Sequence, residues 1–92
     1  LSDPQVQYRI VVHRESDHYW AEVLELPGCF ATGFTWEELW EALAEGIGMY
    51  LSTDEKRYEA IFNKLPPEPS EPTYRRRHER YVEKQSVSLC PA

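Results

Sequence analysis

Four carboxylates, Glu37, Glu38, Glu41 and Glu45, recur within nine residues. On a helix these spacings gather them on one surface, which can grip a cationic partner or serve only as a solvated face. Glu22 and Glu25 are the other acids to weigh, since two carboxylates on one strand face can hold a metal ion. Their odd separation puts them on opposite faces of a strand, so no metal pocket is expected. His13, His18 and His78 are scattered, and no acid or cysteine neighbour gives them the spacing of a zinc or catalytic set. They read as surface histidines without a role. Cys29 and Cys90 suit neither a zinc site nor a disulfide scaffold and point to a reducing compartment. Arg75, Arg76, Arg77 and Arg80 form the one basic cluster, the feature that favours nucleic-acid binding. They stand beside His78, Glu79 and Glu83 with no recognisable reading helix, so a solvated connector is the plainer reading. No catalytic residue, metal ligand or cofactor site is assigned.

Short elements must position these groups. Val6, Tyr8, Ile10 and Val12 occupy every second position, as in a half-buried strand. A polar turn at 15–17 leads to a second strand over 18–26, giving an antiparallel hairpin. In that strand Tyr19, Ala21 and Val23 point one way while Trp20, Leu24 and Leu26 point the other, so both faces are expected to be covered, one of them by a subunit or partner unless a bulge near Leu24 intervenes. Pro27 and Gly28 end the strand, and a third, short strand reaches Gly33. Thr35 and Glu38 then form a capping box. Trp36, Leu39, Trp40, Leu43, Ile47, Tyr50 and Leu51 make the apolar stripe of a helix, with the four glutamates mostly away from it.

Ser52 and Glu55 resemble a second capping box, and Tyr58, Ile61, Phe62 and Leu65 follow at helical spacings, predicting a short helix over about 53–64. Four prolines make 65–72 extended, the start of a charged connector that runs to residue 84. A last strand is expected over 85–91. The prediction is therefore a single α+β domain, β-β-β-α-β with a short additional helix, sheet order third-second-first-last. A right-handed crossover would set the last strand parallel to the first. Cys29 and Cys90 would then lie on opposite edges, too far apart for a disulfide.

The chain has 92 residues, 41% hydrophobic and 13% aromatic, enough apolar material for one small folded domain. Its net charge of -6 is uneven. Residues 1–51 carry nine acids against Arg9 and Arg14, whereas residues 52–92 are nearly balanced. An acidic front half repels phosphate backbones and attracts a basic protein. No apolar run approaches a membrane span, and the first residues lack a signal-peptide pattern, so a cytoplasmic location is expected.

The segment YWAEVLELPGCFATGFTWEELWEALAEGIGMYL resembles the HicB antitoxin family. The resemblance rests on a strand ending in Leu26-Pro27-Gly28-Cys29, on Gly33 and Thr35 at the helix entry, on the acidic pair with Glu38, and on Ile47, Tyr50 and Leu51. It covers about half the chain and returns weakly at the prolines after Leu65. Leu24, where the family often has proline, and Leu39 with Trp40, in place of a small residue, depart from the pattern. The resemblance implies a partial ribonuclease H-like sheet. It also implies a non-enzymatic antitoxin of a type II toxin-antitoxin pair, covering the active site of a small basic HicA-type RNA-cleaving toxin. A homodimer or homotetramer is the expected assembly, and the DNA-binding domain that many members carry is not expected here. Two other readings stand beside this one: an orphan oligomeric binding module, and a nucleic-acid-binding regulator acting through Arg75–Arg80.

Overall fold

The computed structural model describes residues 5–69 and 79–92. They form an α+β domain in the order β1 (Gln5–Arg14), β2 (Tyr19–Val23), β3 (Phe30–Gly33), α1 (Trp36–Leu51), β4 (Tyr58–Phe62) and β5 (Glu79–Pro91). The five strands make one sheet, β3-β2-β1-β5-β4, with every neighbouring pair antiparallel.

The expected alternation in β1 is present: Tyr8, Ile10 and Val12 are buried in the core, with Val6 half-buried against it. Their neighbours across the strands, Tyr19, Ala21 and Val23 of β2 and Tyr81, Gln85 and Val87 of β5, share the same inner face. The hairpin turn closes through Glu15 N–H donating to His18 C=O at 2.8 Å. β2 stops at Val23, short of the expected end. Val23 N–H still donates to Cys29 C=O, and Cys29 N–H donates to Leu26 C=O, so the intervening residues form a tight reversal. Gly28 takes a positive φ of 85° there, a conformation that favours glycine. This reversal turns Leu26 into the core beside Cys29, contrary to its expected place on the opposite face.

α1 starts with the full capping box. Glu38 N–H donates to Thr35 Oγ1 at 3.1 Å, and the Glu38 carboxylate accepts from Thr35 N–H and Phe34 N–H. Its inward stripe of Trp36, Leu39, Trp40, Leu43 and Ile47 is buried as expected. Each of Leu39, Leu43 and Ile47 is fully buried, a burial that stabilises by about 1.5–3 kcal/mol per side chain. Trp40 packs edge-on between Trp36 and Phe62, and its indole N–H has no acceptor among the described residues.

The sheet curls, and α1 lies in the concavity against both edge strands, β3 and β4. Ile47 points inward, while Gly46 and Gly48 flank it by roughly 100° to either side on the helical wheel. A Cβ on Gly46 would face Phe30 C=O of β3, and one on Gly48 would meet Tyr58 C=O of β4 at 2.9 Å. The helix backbone thus reaches one edge on each side, and Gly48 permits the closer approach.

The expected second helix is not formed. Ser52 is instead the C-cap of α1: its N–H and Oγ–H both donate to Gly48 C=O, and its Oγ accepts from Tyr58 N–H at 2.9 Å. That hydroxyl ties the helix end to a strand, β4, in which Tyr58, Ala60 and Phe62 face inward. The extra strand reverses the chain once more, so β5 returns antiparallel to β1 rather than parallel. β5 also begins within the expected connector, six residues before the anticipated start.

Candidate partner-binding surface

The outer face of α1 fills the gap between the two sheet edges. Glu37, Glu41 and Glu45 are exposed at consecutive four-residue steps, and among the described residues none of the three has an ion-pair or hydrogen-bond partner. The structure brings these three together as expected. Glu38 differs, because its carboxylate is held at the helix start by the capping box.

Grooves run on both sides of this acidic ridge. One, of about 730 Å³, separates α1 from β4; its walls carry Glu41, Glu45 and Asp54, with Arg57 the basic side chain and Ala44, Gly48 and Met49 contributing apolar surface. The other, of about 620 Å³, lies between α1 and β3 and is lined by Thr32, Phe34, Glu38, Glu41 and Glu45, with His18 at one end. Phe34 and Met49 stand 78% and 72% exposed at the margins of the two grooves. Those apolar groups were not singled out in the sequence, where a Phe directly before a helix cap signals packing on the first helical turn rather than exposure. Asp54 was also missed as a site residue, because the sequence placed it in a helix.

A strap closes the opposite end of the core. Trp36 Nε1–H donates to Pro66 C=O at 2.9 Å, and Tyr19 O–H donates to the Glu68 carboxylate at 2.8 Å. Burial, with that hydrogen bond to an anion, pushes the Tyr19 hydroxyl up to about 12. Tyr50 O–H reaches Pro27 C=O, holding the last helical turn against the β2–β3 reversal.

The remaining sequence candidates fall elsewhere. Glu22 lies on the convex sheet face, whereas Glu25, beyond the end of β2, receives Arg9 N–H and Nε–H at 2.8 and 2.7 Å. The Arg9 guanidinium holds the Glu25 carboxyl below its ordinary value. His13 is not a surface histidine: its side chain is 11% exposed, stacks on Trp20 at 3.7 Å and lies 3.5 Å from Glu22. His18 is more open and contacts Asp17 at 2.7 Å. Cys29 and Cys90 are both thiols, and burial pushes the Cys29 thiol up, which disfavours the nucleophilic thiolate. No cluster of metal-binding side chains occurs among the described residues. Arg80 lies on β5, while Arg75, Arg76, Arg77 and His78 lie outside the described residues. Among the described residues no helix is long and apolar enough to cross a membrane.

Compared with known proteins, the chain matches no family model, and neither a curated protein nor a solved structure matches it significantly.

Proposed function

We propose that this chain is a non-catalytic, cytoplasmic antitoxin that binds a small basic RNA-cleaving toxin of the HicA kind and covers its RNA-binding surface. The observation that carries this reading is the ridge of Glu37, Glu41 and Glu45, exposed without cationic partners among the described residues and flanked by grooves with apolar margins. Solvent-exposed carboxylates that neutralise nothing within their own chain are suited to a basic surface, where they steer encounter and repel RNA. Phe34 and Met49 supply the apolar contact that charge alone lacks. The resemblance to HicB adds the class of partner. Its motif residues serve the framework in this chain: Gly28 turns the backbone, Gly33 admits the helix, Thr35 caps it and Tyr50 anchors its end.

The test is to express the small basic protein encoded beside this chain, alone and together with it, while following growth, RNA integrity and co-purification. Formation of a stable complex that restores growth and intact RNA supports the proposal. Reversing Glu37, Glu41 and Glu45 to lysine should then abolish both complex and rescue while leaving the melting temperature close to that of the parent chain. A harmless neighbour, or a toxin rescued equally well by the charge-reversed chain, would overturn it.

A further inference from the structure

The strap over the end of the core belongs to no helix or strand, yet its sequence restricts its shape. In Leu65, Pro66, Pro67, Glu68 and Pro69 every residue is a proline or precedes one. Proline locks φ at roughly -65°, and the residue before it is pushed to extended backbone, so all five favour the polyproline-II form. That form repeats every third residue. Pro66 and Pro69 are half-buried, whereas Pro67 and Glu68 between them are exposed, so one side of the segment faces the domain. Beneath it lie Trp36, which opens α1, and Tyr19, which opens β2, set edge-to-face at 5.3 Å. The aromatic row continues inward through Trp40 to Phe62.

A polyproline-II segment makes no internal hydrogen bonds and leaves its carbonyls open to a side-chain donor. Here Trp36 Nε1–H donates to Pro66 C=O at 2.9 Å, and Tyr19 O–H donates to the Glu68 carboxylate at 2.8 Å. Just before the strap, Asn63 is clamped to β5: its N–H donates to Ser86 C=O, its Nδ2–H to Ser86 Oγ, and its Oδ1 accepts from Ser88 Oγ–H. Residues 65–69 can therefore lift without breaking a strand pair. We propose that Tyr19 and Trp36 form a seat for proline-rich peptides, closed in this structure by the chain's own strap, and that a proline-rich segment of another protein takes the seat when the strap lifts. An indole donor beside a second aromatic ring suits such a ligand, which is extended before it binds and loses little freedom on docking. The Tyr19 hydroxyl adds a preference for a carboxylate two residues after the anchoring carbonyl. The Arg14 guanidinium, 5.8 Å from the Tyr19 ring centre, places a cation at the same end.

This seat is separate from the acidic ridge, and so is its test. The strap acts as a tethered ligand at an effective concentration on the order of millimolar, so the parent chain should ignore free peptide below that level. The probe is the capped peptide Leu-Pro-Pro-Glu-Pro, and the strap is loosened by Pro66→Gly, Pro67→Gly and Pro69→Gly together. In the loosened chain the Trp36 indole N–H, followed by NMR, should exchange with solvent roughly ten-fold faster. The peptide should return that signal to its parent position, binding the loosened chain roughly ten-fold more tightly than the parent chain. A peptide with glycine for its prolines should have no effect. Glutamine in place of the peptide's glutamate should weaken binding, and Tyr19→Phe should erase that difference. The seat is built from β2 and α1, so the loosened chain should still fold. A loosened chain that unfolds would make the strap part of the framework and overturn the proposal. An unchanged indole signal does the same, as does a peptide that binds both chains alike or neither.

Discussion

A methyl group added at Gly48 would lie 2.9 Å from the Tyr58 carbonyl, which belongs to a paired strand and cannot give way freely. Gly48→Ala should therefore cost about 1–3 kcal/mol, the usual penalty for overpacking, read as a lower midpoint in urea. At Gly46 the nearest atom is 4.0 Å away, in ordinary contact. Gly46→Ala should stabilise by about 0.5–1 kcal/mol, because alanine restricts the unfolded chain at a helical position. Equal effects from the two substitutions would contradict the close approach of α1 to β4. Tyr19 gives a second residue-scale expectation. Its hydroxyl ionises near 12 in the fold against an ordinary value of 10, so the folded state favours the protonated form. The resulting stability is fully present below pH 10 and is lost as pH rises from 10 towards 12. Tyr19→Phe should remove that alkaline limb from the melting temperature profile, and absorbance titration should show one late-ionising tyrosine fewer.

Among the elements, α1 depends on its first turn. Thr35→Ala removes the side-chain acceptor for Glu38 N–H and should cost about 1 kcal/mol. Glu41→Lys, on the exposed side beyond the first turn, should change stability far less, which separates framework from binding surface along one helix. This helix was legible because capping box and apolar stripe agreed, and β1 because its alternation was uninterrupted. β4 was misread because Tyr58, Ile61 and Phe62 also fit helical spacing, and Ser52 with Glu55 imitated a helix start. The strand pattern lay in Tyr58, Ala60 and Phe62, with small Ala60 easy to overlook. The early part of β5 was hidden by charge: Glu83 lies opposite Ile10 on the inner face, and Gln85 is buried opposite Tyr8. Of the proposed site, the glutamate spacing was visible in the sequence, but the grooves beside it exist only because β3 and β4 flank the helix.

For the whole molecule, the acidic ridge is left unneutralised among the described residues. Binding of a basic partner to the ridge should weaken as salt rises from roughly 0.05 to 0.5 M, since such contacts are screened beyond a few ångströms. Isothermal titration of the purified pair would show it, and a salt-independent affinity would place the contact elsewhere.

The pairing of β1 with β5 has a consequence in time. Residues 5–14 are translated well before their neighbour across the sheet, residues 79–91, which follows about seventy residues later. Until then β1 has one open flank, β4 has no strand beside it, and Val6, Tyr8 and Val12 lack the residues that lie across from them, Val87, Gln85 and Tyr81. Closure is therefore a late step limited by joining distant parts of the chain rather than by forming the helix. During synthesis the growing polypeptide holds these apolar surfaces open, exposed to chaperones and proteases, until β5 arrives.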